Sequence, residues 1–208
     1  MVAIVDYGVG NLFSLECSLN AIGAEVVVTA DPEILKTADQ VLLPGVGAFE
    51  DAAKKLRSTG LDAVIKELAA SGKPLLGICL GMQMLFEESH EYGIHQGLGL
   101  IPGKVVSMEG VVPADYKIPH IGWNALRFKR ECPIFKYIQD GDCVYFVHSY
   151  FAAGCDDYLA ATAEYGPELT AAVANKNVFG CQFHPEKSGN VGLAILRAFT
   201  ELKEADVC

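Results

Sequence analysis

One stretch constrains this chain more than any other: Pro74-Leu75-Leu76-Gly77-Ile78-Cys79-Leu80-Gly81-Met82-Gln83-Met84-Leu85-Phe86-Glu87-Glu88. A short apolar run after a proline is broken by a glycine, reaches a cysteine, meets a second glycine and passes into a helical pattern. That reads as strand, sharp turn and helix. Gly77-Ile78-Cys79-Leu80-Gly81 fits the Gly-x-nucleophile-x-Gly elbow, with sulfur where hydrolases often carry a hydroxyl. The nucleophile of such an elbow sits in a strained turn, and its neighbours at minus two and plus two must be small for strand and helix to pack closely. The turn lifts the sulfur to the mouth of the sheet. It also aims the following backbone N–H groups and the helix N-terminus at one spot, where they lower a thiol pKa and stabilise an oxyanion. The same pentapeptide equally suits a buried core cysteine between two packing glycines. The rest of the chain decides between the two.

The first half alternates strand and helix. Val2–Val5 reads as a buried strand before the turn Asp6-Tyr7-Gly8, and Leu12–Ile22 as a helix closed by Gly23. Glu25–Thr29 is a second strand. Asp31-Pro32 opens a short helix with Asp as N-cap. Gln40–Leu43 is a third strand, stopped by Pro44-Gly45-Val46-Gly47, and Phe49–Ser58 and Leu61–Ala70 are helical before the strand that presents Cys79. Such alternation predicts a parallel sheet wound by right-handed crossovers, with ligands at the carboxyl ends of the strands, where Gly8, Gly45 and Cys79 all fall. After about Gly97 the pattern changes. Val105–Met108, Asn124–Phe128, Cys143–Tyr150, Leu159–Tyr165, Ala171–Ala174 and Val178–Phe183 read as strands without comparable helices between them. They suggest an antiparallel extension of the same sheet, with a hairpin turn at Asn175-Lys176-Asn177. Ser188–Lys203 is a closing helix, and Glu204–Cys208 is expected to fray. The fold class is therefore α/β, a mostly parallel sheet flanked by helices with an antiparallel extension in the C-terminal half. With 51% hydrophobic residues and no linker or repeat, residues 1–208 are expected to form one domain.

A formal net charge of −10 argues against nucleic acid or an anionic membrane as partner. The first residues have no basic segment or cleavage site of a signal peptide, and no apolar run approaches the ~20 residues needed to span a bilayer. Seven cysteines, an odd number with no C-x-x-C pair, read as reduced thiols of the cytoplasm rather than disulfides or a zinc site. Five histidines show no HExxH pattern, so neither a metal nor another cofactor is expected. Gly8-x-Gly10 hints at a dinucleotide fingerprint, but Phe13 stands at the third glycine position and blocks it.

A cysteine nucleophile needs a base, and the base an orienting group. Phe183-His184-Pro185-Glu186 supplies both directly after a strand. His184 and Glu186 are two apart, so in an extended chain both point to the same side, and proline between them stiffens the spacing. Beside the elbow, the order Cys79…His184…Glu186 reads as a catalytic triad rather than as a solvated surface turn.

These segments resemble the class I (triad) glutamine amidotransferases, whose fold is flavodoxin-like. The elbow with Met82-Gln83 and His184-Pro185-Glu186 is shared across the class. Asp6-Tyr7-Gly8-x-Gly10-Asn11, Pro44–Phe49, Gly97–Ile101, Pro119–Asn124, Phe146–Tyr150 and Gln182–Gly189 are similar to one branch, the glutaminase subunits of imidazole glycerol phosphate synthases. Gly122-Trp123-Asn124 and His148-Ser149-Tyr150 are what select that branch. The resemblance implies hydrolysis of glutamine through a cysteinyl thioester. Cys79 would be nucleophile, His184 base and then acid, and Glu186 orienter. Val46 or Gly47 and Leu80 would be the oxyanion N–H donors. Gln83 and Glu91 would hold the α-carboxylate and α-amine regions of glutamine, with backbone contacts from Ser149 and Tyr150. It also implies a (β/α)8-barrel cyclase partner, docked through Asn11, Trp123, Tyr145 and Lys187. That partner receives ammonia, forms imidazole glycerol phosphate and an aminoimidazole carboxamide ribotide, and activates an otherwise weakly active subunit. A glutaminase serving another synthase, such as that of pyridoxal phosphate, and a stand-alone γ-glutamyl cysteine hydrolase remain the alternatives.

Overall fold

The computed structural model describes residues 1–203, so Glu204–Cys208 lies outside the described residues. Four parallel strands open the chain: β1 (Val2–Val5), β2 (Val26–Thr29), β3 (Gln40–Gly45) and β4 (Leu75–Cys79). Between them lie α1 (Leu12–Ala21), α2 (Pro32–Thr37), α3 (Phe49–Ser58) and α4 (Leu61–Ala70). The boundary residues act as their chemistry requires. Gly23 at φ +79 ends α1 with a Schellman pair of bonds, from Gly23 N–H to the Asn20 carbonyl and from Ala24 N–H to the Leu19 carbonyl. Asp31 caps α2 by accepting from Glu33 N–H at 2.9 Å. Pro44 lies inside β3 rather than stopping it. It sits beyond the last β1 pair, Ile4 with Leu42, so its missing N–H breaks no bond to β1.

The chain continues through α5 (Leu80–Met84), β5 (Phe86–Ser89), β6 (His95–Gln96), β7 (Ile101–Ser107), β8 (His120–Phe128), β9 (Cys143–His148) and β10 (Tyr150–Ala153). It closes with β11 (Leu159–Glu164), β12 (Glu168–Asn175), β13 (Val178–Cys181) and α6 (Gly189–Thr200). The main sheet has nine strands in the order β2-β1-β3-β4-β13-β12-β11-β8-β9. Strands β2 to β13 in that order are parallel, and the remaining four continue antiparallel. A second sheet, β10-β7-β5-β6, stands apart.

Three further expectations are corrected here. The helical pattern after the elbow gives only a short helix that ends at Met84, and the chain then turns into β5. The strand expected over Cys143–Tyr150 breaks at Ser149, whose carbonyl accepts from Met108 N–H at 3.0 Å, and its two halves join different sheets. The strand expected at Val105–Met108 belongs to β7 in the second sheet, not to an extension of the first.

Helices cover both faces of the main sheet, and period-two alternation sorts the side chains between them. Ile4, Leu42, Leu76 and Phe179 pack with Leu15 and Leu19 of α1 and Leu196 and Phe199 of α6. Val5, Leu43 and Leu75 pack with Phe49 and Leu56 of α3 and Ile65 and Leu68 of α4. Each such side chain contributes roughly 1.5–3 kcal/mol on burial. This two-sided core holds the ends of β3, β4 and β13 side by side. No helix among the described residues is long and apolar enough to cross a membrane.

Candidate active site

Cys79 ends β4 with φ +54 and ψ −113, a left-handed conformation that costs an L-residue about 1–3 kcal/mol. The flanking glycines make that turn possible. A Cβ on Gly81 would lie 1.8 Å from the Leu43 carbonyl oxygen, and one on Gly77 would lie 2.7 Å from the backbone of Gly81 and Met82. Helix α5 thus rests directly on the backbones of β3 and β4, and any side chain at either position would drive it off. Gly45 pairs with Cys79 across the strands, which brings the following residues, Val46 and Gly47, beside the elbow.

The second part of the site comes from the end of β13. His184 Nδ1 lies 2.8 Å from Glu186 Oε1, and both side chains are almost fully buried. Sequence reasoning brought these two together by extended-chain alternation. Instead the chain enters a 3₁₀ turn at Pro185–Lys187, and the turn folds Glu186 back beneath the imidazole. The turn is stapled to β9. His184 N–H donates to the Tyr145 carbonyl at 3.0 Å, Tyr145 N–H donates to Ser188 Oγ at 3.0 Å, and Ser188 Oγ–H donates to the His184 carbonyl at 2.7 Å. Burial pushes the His184 pKa down, but hydrogen bonding and charge at Cys79 and Glu186 outweigh it and raise the pKa to about 9. Glu186 Oε2 is buried and has no hydrogen-bond partner among the described residues.

A cavity of about 490 Å³ opens above the elbow. Val46, Gly47, Cys79, Leu80, Gln83, Glu91, Ser149, Tyr150, His184 and Lys187 all line it. Of the catalytic, oxyanion and substrate positions singled out from sequence, only Glu186 lies off the wall, behind His184. Hydrogen bonding sharpens what the polar side chains can offer a ligand. Gln83 Nε2 donates both to the Tyr150 carbonyl at 3.1 Å and to Gln182 Oε1 at 3.0 Å, so only its own oxygen remains, and it can receive an ammonium or amide N–H but not a carboxylate. Glu91 is anchored from outside the cavity, accepting from Phe49 N–H at 2.6 Å at the N-terminus of α3, where a helix favours negative charge.

Of the positions expected at an interface, Lys187 lines the same cavity. Trp123 and Tyr145 are paired across β8 and β9, with ring centroids 6.0 Å apart and edge to face. Trp123 remains 55% exposed, and Ile121 on the same face of β8 is 59% exposed. Asn11 adjoins His184 and Glu186 across a small void, and Lys187 forms no ion pair among the described residues. Sequence reasoning assigned no role to Gln182 or His148. Gln182 is wholly buried behind the sulfur, and His148 lines the cavity with its pKa pushed down to about 4, chiefly by burial. Their signal was their position beside Phe183-His184 and Ser149-Tyr150. Burial raises the thiol pKa of Cys132 to about 11 and pushes that of Cys181 well above its ordinary value, which marks those two as unreactive core residues.

A thiol at a strained turn, a histidine held by a carboxylate, and backbone N–H groups beside both can attack an acyl carbon and return a proton to the leaving group. Residues 3–201 match the family model described as glutamine amidotransferase class-I. The chain is 50% identical over 205 residues to "Imidazole glycerol phosphate synthase subunit HisH" of Bacillus cereus (strain G9842), covering 99% of this chain and 96% of that protein. It is 49% identical over 203 residues to the protein of the same name from Caldanaerobacter subterraneus subsp. tengcongensis, covering 97% and 98%. Among solved structures, one titled "Crystal structure of glutamine amidotransferase" superposes with a TM-score of 0.75 at 20% identity, over 97% of this chain and 98% of that one. "Structure of PurLQS from Thermotoga maritima" gives 0.72 at 21%, over 95% and 96%. At those identities the two structures speak to the fold alone.

Proposed function

Because this chain belongs to the class I glutamine amidotransferases, we propose that it is the glutaminase subunit of an imidazole glycerol phosphate synthase. It hydrolyses glutamine to glutamate and ammonia and passes the ammonia to a (β/α)8-barrel cyclase, which forms imidazole glycerol phosphate and AICAR in histidine biosynthesis. One observation carries the reading beyond family membership. Cys79, His184 and the candidate oxyanion donors open onto a single cavity, with Glu186 holding the imidazole from behind.

Glutamine enters with its α-ammonium against Gln83 Oε1 and Glu91, which leaves its side-chain amide over the sulfur. The Cys79 thiolate attacks the amide carbon, and the oxyanion is held by N–H groups of Leu80 and of Val46 or Gly47. Loss of one such donor typically costs about 10²–10³ in rate. Imidazolium His184 protonates the departing nitrogen, the C–N bond breaks, and a γ-glutamyl thioester and ammonia remain. His184, now neutral, takes a proton from water as the water attacks the thioester, and the thiolate leaves to give glutamate. Glu186 keeps the ring in one tautomer throughout. The reaction requires no cofactor. The reading of a cytoplasmic enzyme is supported by the six cysteines among the described residues, all of which are free.

The barrel partner is supported by the exposed Trp123 and Ile121, the adjoining Tyr145 and the cavity-lining Lys187, which forms no ion pair among the described residues. Glutamate release from glutamine is measured with and without a barrel cyclase and its acceptor ligand. Strong stimulation, lost in Cys79→Ala, is the expected result. Equal rates with and without the partner reject the synthase reading in favour of a stand-alone hydrolase.

A further inference from the structure

We infer that Gln182 holds Cys79 in its thiolate form, through a buried side-chain N–H aimed at the sulfur and locked in that orientation by Gln83. The inference rests on the proposed role of Cys79 as nucleophile. Gln182 follows β13 directly, and none of its surface reaches solvent. Its side chain has two partners: Oε1 accepts from Gln83 Nε2 at 3.0 Å, and Nε2 stands 3.8 Å from Cys79 Sγ.

The orientation follows from a chain of donors and acceptors. The Tyr150 carbonyl can only accept, so the Gln83 group 3.1 Å from it must be the N–H₂. The same nitrogen faces Gln182, so Gln182 must present its oxygen there and its own nitrogen to the sulfur. Turning Gln83 over would set oxygen against a carbonyl oxygen, and turning Gln182 over would set two N–H₂ groups face to face. A buried amide N–H needs an acceptor, and a thiolate is a far better one than a thiol. A donor that prefers the charged form lowers the pKa of the group that receives it.

The other titratable groups around the sulfur do not duplicate this role. His184, with Glu186 behind it, supplies positive charge from the turn after β13, while His148 on β9 is pushed down chiefly by burial, with smaller contributions from charge at His120 and His184. Tyr7, beyond the end of β1, spends its hydroxyl hydrogen on the Pro44 carbonyl at 2.8 Å, and Cys181 on β13 faces the Gly77 carbonyl at 3.8 Å. Burial keeps both of these neutral, and each would oppose a thiolate if ionised. Gln182 does not line the glutamine cavity, so its loss removes no substrate contact.

The test follows alkylation of Cys79 by iodoacetamide against pH in the full chain, read on the Cys79 peptide by mass spectrometry, with the exposed Cys17 and Cys143 as internal references. Gln182→Leu removes the donor. Gln182→Glu keeps the oxygen that Gln83 holds but places a carboxyl beside the sulfur. The apparent thiolate pKa rises by about one unit in Gln182→Leu and further in Gln182→Glu. In the assembled enzyme kcat falls about tenfold while KM for glutamine changes less than twofold. Alkylation profiles that superimpose on the wild type overturn the inference, and because Gln182→Glu preserves the Gln83 contact, they do so even if Gln182→Leu fails to fold. Glutamine turnover that survives Cys79→Ala would instead overturn the functional reading, and the inference with it.

Discussion

His184 is pulled two ways. Burial alone would leave it neutral, yet Cys79 and Glu186 together raise its pKa from 6.5 to about 9. The shift favours the protonated ring, so the imidazolium persists through neutral pH and is lost as the pH rises through about 9. Above that value the leaving nitrogen finds no proton, and kcat/KM for glutamine falls along an alkaline limb. Glu186→Gln removes one of the two raising groups. In that variant the limb moves to lower pH and turnover drops by roughly 10²–10⁴-fold, the scale set by a triad carboxylate elsewhere. A pH–rate profile of the assembled enzyme checks this, and a limb that stays near 9 would show that Glu186 does not govern His184. Residues of this kind were legible in the sequence because their relations are local: Cys79 with its two glycines, and His184 two positions from Glu186. The anchoring of Glu91 by Phe49, and of Gln182 between Gln83 and Cys79, were not legible. Those partners lie 42, 99 and 103 positions away, and no periodicity reports them.

At the scale of elements, the elbow works because two backbones touch. Ala at position 81 would press its methyl into the Leu43 carbonyl, with nothing flexible to move aside. Gly81→Ala therefore shifts α5 away from β3 and lowers stability by about 2–3 kcal/mol, near the top of the usual range for overpacking. Gly60→Ala is the control. Its φ is +72, but no atom stands within 4 Å of the added methyl, so it costs only the roughly 1–2 kcal/mol of the left-handed backbone. Denaturant unfolding of both variants, with glutaminase assays, separates contact from strain. Equal destabilisation would mean that the close approach at Gly81 is not what holds the elbow. The parallel half of the sheet could be foreseen because strand–helix alternation admits few topologies. The C-terminal strands were foreseen as strands, but their sheet membership was not, since alternation along a strand says nothing of its neighbour. Ser149 splits one apolar run between two sheets, and β13 leaves a hairpin with β12 to lie parallel to β4. That placement puts His184 next to Cys79.

Taken as a whole, the molecule is acidic but exposes an apolar face on β8, whose neighbour β9 reaches the cavity wall at His148. The chain carries a formal net charge of −10, yet Ile121 and Trp123 stand exposed on one face of β8, and Lys187 at the mouth has no acidic partner among the described residues. A desolvated tryptophan at the centre of an interface is the commonest kind of energetic anchor, and a lone lysine inside an acidic field attracts one specific carboxylate. That face is also joined to the chemistry. Trp123 packs on Tyr145, and the Tyr145 carbonyl receives the His184 N–H, so a partner that moves the aromatic pair acts on the base through a single backbone bond. On the proposed docking, Trp123→Ala weakens binding of the proposed barrel cyclase by about 10- to 30-fold, or roughly 1.4–2 kcal/mol, within the range of interface anchors. Titration calorimetry measures that loss. Glutamate release at rising partner concentration then separates docking from coupling. If Trp123 only docks, saturating partner restores the stimulated rate in full. If the Trp123–Tyr145 pair also transmits the bound state to His184, a deficit in kcat persists at saturation, because the base is no longer set by the partner. Unchanged affinity would remove Trp123 from the interface and place the docking surface on another side of the mouth.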